Sequence, residues 1–111
     1  MTKIYLKKDE MFGYGEISIS GHSGYADEGS DIICAYISSA CELIMSILMD
    51  EIGADVETNI DPEKAFVGLH IPHSDNNNSN TKVISVCLGG FMRLMKEFSK
   101  QFPKFVSMTI A

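Results

Sequence analysis

The sequence predicts an α+β fold, a two-layer sandwich in which two long helices cover one face of a mainly antiparallel sheet. Three observations predict it. Short segments alternate apolar and polar residues, which is the pattern of half-buried strands. Two longer segments repeat apolar residues at spacings of three and four, which is typical of helices packed on a core. Along the chain these segments follow the order β-β-α-β-β-α-β.

The N-terminal segments predict a hairpin. Residues 2–8 and 14–20 both alternate with period 2, so each is expected to form a half-buried strand. Between them lies the sequence DEMFG, in which Gly13 can adopt the positive φ that a tight turn requires.

The first long helix is predicted over residues 31–52. Ser30 or Asp31 is the expected N-cap, because either side chain can accept hydrogen bonds from the first turn. Gly53 is the expected stop. The apolar residues occupy much of the circumference, which predicts burial on two sides.

The C-terminal half is predicted to contain two strands, a polar loop, a second long helix and a last strand. The expected strands are followed by the sequence HSDNNNSN, whose low-complexity polar character is typical of a mobile loop. In chain order the predicted segments are strand 54–60, strand 65–71, loop 73–80, helix 81–102 and strand 104–111.

Composition limits the possible functions. The chain has 111 residues and 45% hydrophobic residues, which suits a single domain over 1–111 with one core. The formal net charge of -6 argues against direct contact with nucleic acid and favours a basic protein partner.

The same composition predicts a cytoplasmic protein without a membrane segment. No apolar run is expected to approach the roughly 20 residues that span a bilayer, and the N-terminus lacks a signal-peptide core. Three cysteines without disulfide spacing are expected to be free thiols in a reducing compartment.

The stretch GHSGYADEGSDIIC contains the main candidate for chemistry. Cysteine reacts as its thiolate, and Cys34 lies in the expected first turn of a helix, where free N–H groups favour an anion. His22 ends the preceding strand, and a strand-loop-helix connection can bring it to Cys34 as the base. Asp31 is expected to cap the helix or to orient His22.

Less reactive interpretations remain open on this reasoning. The glycines can be simple turn residues, and Ser38, one turn beyond Cys34, is expected to serve helix packing more than catalysis. Cys41 and Cys87 are expected in the core. A metal site is not expected, because no CxxC or HxxxH pair occurs, and no cofactor is expected. A thiol redox sensor would lack a resolving cysteine near Cys34.

GHSGYADEGSDIICAYISS resembles the signature of the bacterial ribosomal-processing cysteine protease family. The family pattern is G-H-x-G-Y-A, then G-x-D-I-(V/I)-C-A, then a small-residue helix that contains Ser. Chain length and the order of predicted elements are similar to the family as well. A mild departure from the family is Ser23, which stands at the variable position of this pattern where many members have Ala.

The resemblance implies a cysteine endopeptidase of the bacterial cytoplasm. Members remove an N-terminal extension from the twenty-seventh protein of the large ribosomal subunit and form homodimers. The resemblance makes His22 and Cys34 the catalytic dyad. It gives supporting roles to Asp31, Ser38 and Gly21, and a substrate-gating loop that contains Ser23, Gly24, Tyr25 and Gly29. The alternative function is a non-enzymatic module that binds a ribosome-assembly partner.

Overall fold

The computed structural model describes residues 1–27 and 31–111. Within them the chain forms one five-stranded sheet with the strand order β3-β4-β2-β1-β5. All neighbouring strands are antiparallel except β1 and β5, which are parallel. The predicted fold class is therefore confirmed. The strands are β1 Thr2–Asp9, β2 Gly13–Ser20, β3 Glu57–Asp61, β4 Phe66–His70 and β5 Val106–Ile110.

Two long helices and one short one accompany the sheet in the described residues. Helix α1 spans Ile32–Ser46 and continues as a π-helical turn, Ile47–Glu51. Helix α2 spans Asp75–Ser79, and α3 spans Thr81–Gln101. The two long helices were predicted, whereas α2 was not.

A single apolar core lies between the sheet and the long helices. Alternate strand residues point into it, as the period-2 pattern predicts, and burial of each large aliphatic side chain contributes about 1.5–3 kcal/mol. The buried residues include Ile4, Leu6, Ile17 and Ile19 from the hairpin, Ile33, Ile37 and Ile44 from α1, and Ile84, Leu88 and Met95 from α3.

The prediction of a polar loop over 73–80 is wrong, because α2 lies inside it. Asn77 is fully buried; its Oδ1 accepts the Asp55 N–H at 2.8 Å, and its Nδ2 donates to the Asp55 and Pro72 carbonyls at 2.8 and 2.9 Å. Ser74 caps α2 by accepting the Asn77 N–H at 3.1 Å. One side-chain amide thus satisfies backbone groups that a free loop would leave to water. It also engages Asp55, so β3 begins later than predicted.

The expectation about membrane-spanning length is also wrong. Ile32–Glu51 is a continuous helical segment long and apolar enough to cross a membrane by length and composition. A core helix passes the same test, so this is weak evidence for a span. The segment contributes six buried residues to the core: Ile33, Ile37, Ala40, Cys41, Ile44 and Leu48.

Candidate active site

Gly21 fixes the point at which the loop leaves the sheet. Its φ is +85°, and a Cβ there would lie 2.7 Å from the Met1 carbonyl oxygen. Its N–H donates to the Ala65 carbonyl at 3.0 Å, and its own carbonyl accepts the Thr2 hydroxyl at 3.1 Å. Only glycine fits both the conformation and the space. The backbone that enters His22 is therefore held by β1 and by the turn that precedes β4.

Asp31 is the N-cap of α1, one of the two residues predicted for that role. Its Oδ1 accepts the N–H groups of Ile33 and Cys34 at 3.0 and 3.1 Å. This bonding places Cys34 in the first helical turn. Ser30, the other predicted cap, lies outside the described residues, as does Gly29 of the predicted gating loop.

The loop after β2 returns to the start of α1, as the strand-loop-helix pattern predicts. The Ser23 N–H donates to Cys34 Sγ at 3.3 Å, and the Ser23 hydroxyl donates to Asp31 Oδ2. The His22 side chain is exposed and, within the described residues, makes no hydrogen bond to Cys34 or Asp31. The structure thus brings the residue after His22 onto the sulfur, while His22 itself is exposed.

Asp31 is ionised at neutral pH. Burial on its own raises the pKa of this carboxyl, but hydrogen bonds from the Ser23 hydroxyl and the backbone N–H groups of Cys34 and Ala26 outweigh it. Together they lower the pKa of Asp31 to about 2. Both carboxylate oxygens are used, Oδ1 by the helix and Oδ2 by Ser23. The expectation that Asp31 caps the helix is met, and among the residues that the structure describes no hydrogen bond joins it to His22.

The three thiols lie in different surroundings, and all are free. Cys34 is half-buried, whereas Cys41, two turns along α1, is buried in the core as predicted. Burial, with a smaller contribution from the Glu42 charge, raises the pKa of Cys41 to about 12, so its thiolate is disfavoured. Cys87 is half-buried on α3 and packs against the core. Cys34 alone combines exposure with a helix start.

The remaining predicted site residues lie before and after Cys34 in the sequence. Ser38 is exposed on α1, so the packing role expected for it is not seen. Gly24 is exposed with a φ of +79°. Tyr25 is half-exposed, and its ring meets Phe105 edge-to-face at a centroid distance of 5.4 Å. Phe105 was not expected at the site, because it is distant in sequence and was placed only in the last strand.

The helix start differs from the sequence prediction in two respects. The N–H groups expected to be free there are bound: those of Ile33 and Cys34 by Asp31 Oδ1, and that of Ala35 by the Asp31 carbonyl at 3.1 Å. These three donors are occupied. The burial of Ser23 was also missed, since nothing in the sequence marks its hydroxyl as a partner of Asp31.

The other histidines are engaged elsewhere. His70 lies 3.4 Å from Glu57 across the sheet, and His73 lies 2.7 Å from Asp9 at the hairpin. Among the residues that the structure describes, no three His, Cys, Asp or Glu side chains are grouped to hold a metal ion.

A thiol at a capped helix start, in contact with a loop that carries a histidine, defines a candidate cysteine-dependent hydrolase. The model of the family described as cysteine protease Prp matches residues 1–107. The chain belongs to this cysteine protease family, which confirms the resemblance found in its sequence.

Solved structures share the fold at low sequence identity. The ribosomal processing protease Prp from Staphylococcus aureus, with a covalently linked product peptide, matches with a TM-score of 0.85 at 14% identity over 100% of both chains. Its complex with a substrate peptide gives 0.80 at 13% identity, again over 100% of both chains. A Streptococcus mutans protein gives 0.81 at 19% identity over 99% of this chain and 93% of its own. No curated protein matches the sequence.

Proposed function

We propose that this chain is a cysteine endopeptidase that removes the N-terminal extension of a bacterial large-subunit ribosomal protein. One observation carries the proposal. The half-buried Cys34 sulfur lies in the first turn of α1 and accepts the N–H of Ser23, the neighbour of His22. In a chain of the cysteine protease family, this thiol is the natural nucleophile and His22 the natural base.

The proposed reaction needs only these two side chains and water. His22 takes the thiol proton, and the Cys34 thiolate attacks the scissile carbonyl carbon. The C–N bond then breaks, His22 returns the proton to the leaving amine, and a thioester joins the acyl group to Cys34. Water, deprotonated by His22, hydrolyses the thioester and restores the thiol. Among the described residues His22 makes no hydrogen bond to Cys34, so the proposal expects this contact to form when the peptide binds.

The substrate proposal rests on similarity and on charge. The Staphylococcus aureus relative is a ribosomal processing protease that binds a substrate peptide, which supports a peptide substrate for this chain. The formal net charge of -6 suits a basic ribosomal protein, because opposite net charges speed encounter. The loop that contains Ser23, Gly24 and Tyr25 is proposed to open for the peptide and close on it.

We further propose a single protease domain over 1–111 that acts as a cytoplasmic homodimer without cofactor. Its free thiols suit a reducing compartment. Exposed apolar side chains on α1 and α3, among them Leu43 and Val86, suit an interface between two copies.

Substitution of Cys34 tests the catalytic proposal. Cys34→Ala and Cys34→Ser should each abolish cleavage of the purified extended ribosomal protein, followed by mass spectrometry, because neither side chain supplies a thiolate. Cys41→Ala removes a thiol from the same helix and should retain cleavage. Circular dichroism should show a native fold in all three variants. Retained cleavage by the Cys34→Ala variant would contradict the proposal.

A further inference from the structure

Ser23 differs from its loop neighbours in burial. The residue is 2% exposed, whereas His22 and Gly24 on either side are exposed. A buried hydroxyl needs partners, and this one has two. It donates to Asp31 Oδ2 and accepts the Tyr25 N–H at 3.2 Å. The residue is thus fixed in the loop by its side chain.

The partner of that hydroxyl is itself rigidly held. Asp31 Oδ1 is bound by two N–H groups of α1, at 3.0 and 3.1 Å, and its carboxyl is ionised near neutral pH. A hydrogen bond to an ionised acceptor is stronger than one between neutral groups. The Ser23–Asp31 bond therefore attaches the loop to the first turn of the helix that carries Cys34.

The same residue reaches the sulfur through its backbone. With the hydroxyl fixed on Asp31, the Ser23 N–H lies 3.3 Å from Cys34 Sγ. A thiolate accepts a hydrogen bond more strongly than a thiol, so a donor held there favours the thiolate. Two ionisable groups also bear on this sulfur. The Asp31 carboxylate opposes the thiolate, and His22, when protonated, favours it.

We propose that Ser23 is a positioning residue: its hydroxyl bond to Asp31 holds its own N–H on the Cys34 sulfur and fixes the backbone from which His22 projects. This inference rests on the proposed role of Cys34 as nucleophile. It goes beyond that role by assigning the reactivity of Cys34 in part to a serine hydroxyl that touches neither the sulfur nor the substrate.

Alkylation of Cys34 by iodoacetamide between pH 5 and 10 tests the inference without a substrate. Ser23→Ala should slow alkylation at pH 7 about tenfold and raise the pH midpoint, because one hydrogen bond to a charged group is worth at least this factor. Ser23→Thr keeps the hydroxyl and should restore most of the rate. The matched control is Ser85→Ala on α3, where the Ser85 hydroxyl donates to the Lys82 carbonyl at 2.9 Å. It should leave the alkylation rate of Cys34 and its pH midpoint unchanged.

A double-mutant cycle shows whether Asp31 is the partner. In an Asp31→Asn background the charged acceptor is absent, so Ser23→Ala should change the rate less than about threefold. Ser23→Ala with an unchanged rate and midpoint overturns the inference, and so does an undiminished effect in the Asp31→Asn background. Cleavage by the unmodified enzyme is scored separately, so the endopeptidase proposal stands or falls on its own result.

A measurement on the unmodified protein covers the case in which Ser23→Ala does not fold. The amide proton of Ser23, followed by NMR, should shift with the same pH midpoint as the alkylation of Cys34, since its acceptor changes from thiol to thiolate. An amide proton that does not respond at that midpoint overturns the inference.

Discussion

Burial gives the thiols of α1 opposite chemistry although they lie on one helix. Cys34 is half-buried in the first turn, where the Ser23 N–H donates a hydrogen bond to its sulfur. Cys41 is buried among aliphatic side chains, and burial raises its pKa to about 12. A nucleophile must be both accessible and deprotonated. Position on the helix therefore separates the thiol proposed as nucleophile from a core residue of the same type.

Selective alkylation should follow this difference. With limiting iodoacetamide at pH 7, Cys34 should be modified at least about tenfold faster than Cys41, because Cys41 is buried and remains protonated. His22→Ala should slow the alkylation of Cys34 and leave the alkylation rate of Cys41 unchanged. Peptide mass spectrometry resolves the two sites.

An inert Cys34 in the folded protein would contradict this prediction. It would favour the alternative function, a non-enzymatic binding module, in which His22 and Cys34 serve only packing. If Cys34 is alkylated rapidly and His22→Ala does not change that rate, His22 is not the base of this site.

The sequence predicted the roles of some residues of the site and not of others. The helix-capping role of Asp31 could be predicted, because an N-cap acts on its own neighbours in the chain. The burial of Ser23 could not, because its partner lies across a loop whose path depends on the tertiary structure. The same holds for Tyr25 and Phe105, which are eighty residues apart in sequence and in contact in the structure.

At the scale of elements, periodicity predicted the strands and the long helices but missed α2. A core pattern of apolar residues marks α1 and α3, since burial selects those residue types. Helix α2 is instead held by a buried amide, and Asn77 cannot be distinguished from its neighbours Asn76 and Asn78 in the run NNN. A run of polar residues predicts a surface loop. The prediction fails where the tertiary structure provides hydrogen-bond partners that allow one of these residues to be buried.

Asn77→Ala should therefore destabilise the protein by about 2–4 kcal/mol, because it removes a fully buried amide and leaves partly buried backbone groups of Asp55 and Pro72 without that partner. Urea denaturation followed by circular dichroism measures the loss. Asn78→Ala changes an exposed residue of the same helix and should stay within about 0.5 kcal/mol of the parent. Equal stabilities for the two variants would show that the Asn77 bonds contribute nothing.

At the scale of the molecule, the two long helices leave apolar surface uncovered. Leu43 on α1 and Val86 on α3 are 62% and 66% exposed and border a groove of about 250 Å³ between the helices, with Leu94 on its edge. Exposed apolar side chains that cluster in this way are typical of interaction sites. In a two-fold dimer the same surface patch of each copy forms the interface. A second copy can therefore cover this groove with its own Leu43, Val86 and Leu94.

Val86→Glu tests this arrangement of the proposed homodimer. Two-fold symmetry brings two new carboxylates into one apolar interface, where burial of unpaired charge is costly, so the variant should be monomeric at micromolar concentration. Size-exclusion chromatography with light scattering gives the mass. Since Val86 is exposed, the monomer should fold normally. Ile60→Glu introduces the same charge at a 54% exposed position on β3 and should leave the dimer intact. A monomeric parent protein, or a dimeric Val86→Glu variant, would exclude the groove as the interface.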